Sequence, residues 1–320
     1  MKTVNTTHIV GGVLLRQLKN GIVQVYLVQR SNENNALREH WTLPGGKIQS
    51  RNIDKASELE NKLEAKIGYR PRFPEFIHEI KTIDEDNEFI RHHFSYLVPL
   101  NISTHLTTEY LRGSWKKIEA FRNPRLKLMP GVREAVIEAA QRLEKHNQYL
   151  DELFDLALLS KTREGHHPFY TAASLVSPDG KTIIKAFKGE TIPTISTKET
   201  LEHHAEEILL KKFNTRLAKG NLPLKGWTLY TLMEPCSSRD TPGHTPCSVL
   251  IAKTPQISKV VVAGLDHNPK IKNIGIQNII NSGKTIILHP DNTQQFKKAT
   301  TLNIRHAEEQ IKRLVSRKTY

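Results

Sequence analysis

TLMEPCSSRDTPGHTPCSVLI, residues 231–251, decides how the chain reads. It opens as the end of an apolar strand, TLYTLM at 228–233, and then sets Cys236 and Cys247 each directly after a proline. These are the two cysteines of the 320-residue chain, too few for a disulfide framework, so a reducing compartment and a metal or catalytic role are expected for them. One strand and one helix upstream lies His203-His204-Ala205-Glu206, in a helix expected to run from Thr197 to about 217.

A lone His-x-Glu occurs by chance in many helices, and a lone cysteine is more often a small buried residue. The combination carries the chemistry. One imidazole and two thiolates, from His204, Cys236 and Cys247, give a tetrahedral zinc three ligands and leave the fourth position for water, as in a catalytic rather than a structural site. Glu206 can stand beside that water without ligating the metal, as suits a carboxylate that passes a proton to a ring nitrogen and then to departing ammonia. The set points to hydrolytic deamination by a zinc enzyme.

The same stretch resembles the deaminase domain of bacterial riboflavin biosynthesis, whose cysteines are separated by a long loop ending in Gly-x-Thr-Pro before the second ligand. Here that ending is Gly243-His244-Thr245-Pro246-Cys247, and ten residues separate the cysteines. The resemblance extends through KVVVAGLDHNPKIKNIGIQNIINSGKTIILHP, residues 259–290, with its Asp266-His267-Asn268-Pro269 loop, and covers most of 150–290. It implies a cytidine deaminase-like three-layer α/β/α domain, Zn2+ as cofactor, and Thr245 and Asn268 as substrate contacts. The implied substrate is a ribosylaminopyrimidine phosphate of riboflavin biosynthesis or a related nucleotide, and a homo-oligomer is the family-level expectation. HHPFYTAASLVSPDG, residues 166–180, lacks the Asn-Pro and Val-Gly that the family carries at its first strand. About thirty residues follow Pro290, so the deamination step alone is expected, without the reductase domain commonly fused to it.

Alternation in the second half (helix 149–161, strands 171–176 and 182–187, the histidine-bearing helix, strand 228–233, strand 259–265, helix 274–281, strand 285–290) predicts the same α/β domain without the resemblance. A separate helix is expected at 131–146, so the boundary is placed in the polar His146-Asn147-Gln148, giving domains 1–147 and 148–320.

In the first half, HIVGGVLLRQLKNGIVQVYLVQR at 8–30 reads as a hairpin turning at Lys19-Asn20-Gly21. It is followed by WTLPGGKIQSRNIDKASELENKLEAKIGY at 41–69, with Leu59, Leu63 and Ile67 at helical spacing and Gly68 as the stop. This resembles the Nudix hydrolase signature and implies a Nudix-like α/β/α sandwich. In either register at most one of the magnesium-binding carboxylates stands in its proper place. Counted back from Gly68 their positions hold Asn61, Lys62, Ala65 and Lys66, and counted forward from Gly46 they hold Glu60, Asn61, Glu64 and Ala65. Hard cations need oxygen ligands, so this domain is expected to lack hydrolase activity and to serve as scaffold or as a ligand-binding module.

The pairs His92-His93 and His166-His167 would point to opposite faces of a strand and are expected to be solvated, as are His203 and His244. The net charge of +14 suits anionic company. Two alternatives therefore stay open beside the small-molecule enzyme: a base deaminase acting on RNA or DNA, and a non-catalytic zinc-binding nucleotide sensor. No apolar run approaches the ~20 residues that span a bilayer, and the start is too interrupted for a signal peptide, so a cytoplasmic protein with no membrane partner is expected.

Overall fold

The computed structural model describes residues 5–31, 40–48, 54–84, 87–161, 169–193, 201–220, 222–239, 243–266, 272–304 and 308. The chain divides into two compact units, 1–144 and 145–320.

The first unit contains β1 (Asn5–Gln17), β2 (Val23–Arg30), β3 (Trp41–Thr42), β4 (Gly45–Ile48), α1 (Lys55–Ile67), β5 (Glu75–Asp84), β6 (Asn87–Leu97) and β7 (Tyr110–Lys117). A 3₁₀ turn (Ile118–Arg122) and the start of α2 (Val132–Ala157) follow. The strands form one sheet in the order β3-β2-β1-β6-β5, with β4 also on β1 and β7 on β2. β1 runs parallel to β6 and antiparallel to β2 and β4. Alternation along the strands sends Val13, Leu15, Val25 and Leu27 to a core shared with Val132, Ala135, Val136, Ala139 and Leu143 of α2. Their neighbours Val10, Leu14, Tyr26 and Val28 meet Leu59, Leu63 and Ile67 of α1. Successive strand residues face opposite ways, so the two helices cover opposite faces and the unit is an α/β/α sandwich. Asp54 caps α1 by accepting from the Ala56 amide at 3.1 Å, and Gly68 ends it at φ 68°, the left-handed conformation glycine adopts without penalty.

α2 is one unbroken helix of 26 residues, where two helices separated at 146–148 were expected. His146-Asn147-Gln148 is polar yet contains neither proline nor glycine, so nothing in the backbone interrupts the turn. Its later part carries Leu150, Leu153 and Ala157 into the core of the second unit.

That unit adds β8 (Ala172–Val176), β9 (Ile183–Phe187), α3 (Ala205–Leu217), β10 (Trp227–Met233), α4 (Cys247–Ala252), β11 (Ile257–Gly264), α5 (Ile274–Asn281), β12 (Thr285–Leu288) and α6 (Gln294–Leu302). The sheet order is β12-β11-β10-β8-β9; β10, β11 and β12 are mutually parallel and β8 is antiparallel to both its neighbours. Tyr230 and Leu232 of β10 face α2 and α6, whereas Thr231 between them meets α3 on the other side, so helices again cover both faces. Among the described residues no helix is long and apolar enough to cross a membrane.

His92 and His93 do face opposite ways, but neither is solvated: they are 1% and 3% exposed. His92 donates toward Glu79 at 3.1 Å and meets His8 at 3.1 Å, and His93 packs edge-on to His78. Strand alternation could not show that both faces of β6 are covered. Burial pushes His93 in the first unit, and His289 in the second, down to about 3. Each folded value lies below the unfolded one of about 6.5, so the unfolded chain binds the proton first. The stability each contributes is complete above that unfolded value and is lost as pH falls toward 3. At pH 5 the loss is about 2 kcal/mol per histidine. Urea midpoints measured at pH 7.5 and pH 5 should fall accordingly; equal midpoints would contradict the burial of these imidazoles.

Candidate metal centre

The helix expected from Thr197 instead begins at Ala205 as α3: residues 201–204 are not helical, 197–200 lie outside the described residues, and His204 is the extended N-cap at φ −77° and ψ 160°. The break in helical geometry aims the His204 side chain differently from those that follow, while Glu206 sits in the first turn and is buried. Thr231, at the centre of β10, donates its hydroxyl to Glu206 Oε1 at 2.6 Å. Burial pushes the Glu206 carboxyl above the usual carboxylate range, opposed by the nearby His204 and by the Thr231 hydrogen bond. A carboxyl raised in this way holds a proton more readily than a free one, as suits a group that takes a proton up and hands it on.

The cysteines arrive from the opposite side. β10 ends at Met233, Cys236 follows Pro235, and Cys247 is the first residue of α4 after its N-cap Pro246. The Cys247 amide donates to Cys236 Sγ at 3.3 Å, the Ser248 amide donates to the Cys236 carbonyl at 3.1 Å, and Cys247 Sγ lies 3.6 Å from His204 Nδ1. The ligand-type atoms of His204, Cys236 and Cys247 all lie within 4.8 Å of one another. The Cys236 thiol is pulled down to about 4 by the hydrogen bond from the Cys247 thiol and by His204, and the buried Cys247 is pushed up. Two thiols this close cannot both ionise without a cation between them, and a divalent ion would supply that charge. The donor set, one nitrogen and two sulfurs, suits zinc.

Glu234 ties Asp266 to the start of α5, a role with no local signature in the sequence. Its two buried oxygens accept four amides: Asp266 at 3.2 Å, Asn273 at 2.9 Å, Gly275 at 3.0 Å and Ile276 at 3.3 Å. A carboxylate at the start of α5 satisfies donors that the helix leaves open. The approach leaves no room at Gly275, where a Cβ would stand 1.9 Å from the Pro235 carbonyl oxygen. Gly275→Ala should therefore displace α5 from the segment entering Cys236 and cost about 2 kcal/mol or more. Chemical denaturation measures it, and a wild-type midpoint would contradict the contact.

Of the two expected substrate contacts, Thr245 is exposed two residues before Cys247, and Asn268 lies outside the described residues. His203 and His244 are not the solvated residues expected. His203 is 2% exposed and donates toward Glu207 Oε1 at 2.8 Å; His244 is partly buried and packs edge-on to His203, with ring centres 4.9 Å apart. With Glu207 they form a second group of ligand-type atoms within 4.8 Å. The i, i+4 spacing of His203 and Glu207 was a visible signal, but its partner His244 comes from a distant loop.

In the first unit, counted back from Gly68, Lys62 and Lys66 stand at helix positions where the Nudix pattern has carboxylates. Lys66 Nζ would be 3.0 Å from a Cβ at Gly46 and pairs with Glu109 at 2.6 Å, and Lys62 pairs with Glu58 at 3.0 Å. Ammonium groups at the glycine turn repel a divalent ion instead of ligating it.

Residues 143–264 match the family described as the cytidine and deoxycytidylate deaminase zinc-binding region. The riboflavin biosynthesis protein RibD of Aquifex aeolicus (strain VF5) is 31% identical over 127 residues, 39% of this chain and 30% of that protein. The chain thus spans about a third of the length of the curated relative it matches. Among solved structures, RibD of Acinetobacter baumannii aligns over 50% of this chain and 38% of its own, at 24% identity and TM-score 0.37. The NUDIX domain of Shewanella oneidensis NrtR, solved with ADP ribose, aligns over 45% of this chain and 90% of its own, at 20% identity and TM-score 0.37.

Proposed function

We propose that the second unit is a zinc-dependent hydrolytic deaminase that removes an exocyclic amine from a pyrimidine-type ring. The carrying observation is the buried Glu206, held by Thr231 immediately beside the grouped His204, Cys236 and Cys247. The match of residues 143–264 to a deaminase zinc-binding region supports the same reading.

His204, Cys236 and Cys247 would hold the metal. Bound there, zinc supplies an open coordination position and lowers the pKa of a water toward neutrality. The chain's own contribution is proton transfer. Glu206 Oε1 is engaged by Thr231, which leaves Oε2 to accept the proton that water loses as its oxygen adds to the ring carbon bearing the amine. Glu206 returns that proton to the ring nitrogen. A second transfer, from the new hydroxyl to the amine nitrogen, lets the C–N bond break, giving a ring carbonyl and ammonia. The 31% identity to a riboflavin biosynthesis protein favours a ribosylaminopyrimidine phosphate or a related nucleotide as substrate. The first unit, with lysines in place of carboxylates, acts as scaffold or ligand-binding module without magnesium-dependent hydrolysis.

Ammonia release by the zinc-loaded chain tests this against riboflavin-pathway pyrimidines, cytosine and guanine nucleosides and nucleotides, and short RNAs. The expected result is turnover of one phosphorylated small molecule. Turnover of RNA alone, which the net charge of +14 would accommodate, would overturn the substrate class. No turnover at all would leave a zinc-binding sensor.

A further inference from the structure

We infer that Glu207 is a positioning residue whose carboxylate ties Arg239 and His244, near the two ends of the Cys236–Cys247 segment, to α3, setting the thiols before any metal binds. The inference rests on the reading that His204, Cys236 and Cys247 hold the ion.

The two cysteines are separated by ten residues, and ordering a segment of that length costs conformational entropy that the two prolines only partly remove. Contacts at both ends of the loop offset it, and they converge on one side chain. Glu207 Oε1 lies 2.8 Å from His203 Nδ1 and 3.4 Å from His244 Nδ1. Its Oε2 lies 3.4 Å from Arg239 Nη2, and Lys211 Nζ is 3.6 Å from Oε1. Arg239 Nη2 also donates to the Glu202 carbonyl at 2.7 Å and reaches His244 Nδ1 at 3.2 Å.

Arg239 and His244 are each three residues from a cysteine, on the inner side of the loop; His203 and Glu207 flank His204 and Glu206. The cluster therefore joins the two segments that must meet for a metal to be held. Its interior is screened from solvent, since the Arg239 side chain is 4% exposed and that of Glu207 10%. It is also already supplied with cations. A divalent ion on Glu207 would be opposed by the guanidinium and the ammonium, so this second His/Glu/His group is a brace and not a second metal site.

Partners that orient metal ligands from outside change metal affinity by about 10–100-fold when removed. Glu207→Gln keeps the shape of the side chain and removes the charge, taking from the buried Arg239 the carboxylate it pairs with among the described residues. The experiment is titration of the metal-free full-length chain with cobalt(II), read by the thiolate-to-cobalt charge-transfer band and by competition with a chelator. Wild type should show the band, and Glu207→Gln should bind cobalt about 10–100-fold more weakly. The double variant E207Q/R239M removes both charges, so it should regain folding stability while still binding cobalt weakly, because the loop stays unpinned. Wild-type affinity and an unchanged band in Glu207→Gln, or in the double variant should the single one not fold, would overturn the brace and leave the metal site standing. No thiolate band in wild type would overturn the metal site itself and the brace with it.

Discussion

Glu206→Gln should lower ammonia release by about 10²–10⁴-fold, the usual scale for losing a positioned proton carrier. The amide is nearly isosteric with the carboxyl and can keep the 2.6 Å hydrogen bond from Thr231, so the buried pocket should persist. What disappears is the acceptor for the water proton, and with it the donor to the ring nitrogen. Glu206 is not among the three grouped ligand-type residues, so the variant should take up as much zinc as wild type. Steady-state ammonia release with elemental analysis of the same preparation checks both statements. A rate within tenfold of wild type would take the proton-transfer role away from Glu206; a rate that falls together with the metal content would make it a structural residue.

Cys247→Ala should be more damaging. Cys247 is fully buried at the start of α4, its amide donates to Cys236 Sγ, and its thiol lies 3.6 Å from His204 Nδ1. Alanine preserves the helix start and removes one of three protein ligands. The loss of zinc affinity should exceed the roughly 10–100-fold that an outer partner is worth, and activity should fall to background. Metal binding is coupled to the stability of the site that holds it, so zinc should raise the melting temperature of wild type and not that of Cys247→Ala. Equal zinc-dependent stabilisation of the two would exclude Cys247 as a ligand.

The parts of this site that were legible in the sequence are those whose chemistry is local. Cys236 and Cys247 could be read because each follows a proline and the chain has no others, and Glu206 because it lies two residues past His204. Leu59, Leu63 and Ile67 fall on one helical face and are buried against the first sheet as their spacing predicts. The rest depends on partners that meet only after folding. Glu234 looks like any acidic residue after a strand, yet it holds four amides of a segment more than thirty residues away. Arg239 and His244 look like solvated loop residues until Glu207 is placed between them. The helix break expected at 146–148 is absent for a different reason. Polarity alone marks an exposed surface, and a helix can continue through it when no proline or glycine interrupts the backbone.

Among the described residues the second unit has two groups of ligand-type residues, and only one contains sulfur: His204, Cys236 and Cys247 against His203, Glu207 and His244. X-ray absorption at the zinc edge of the purified, zinc-loaded chain separates them directly. The result predicted here is two sulfur scatterers at about 2.3 Å and two lighter ligands at about 2.0–2.1 Å, one of them imidazole. Four light scatterers and no sulfur would put the metal on the Glu207 group and contradict the account at its centre.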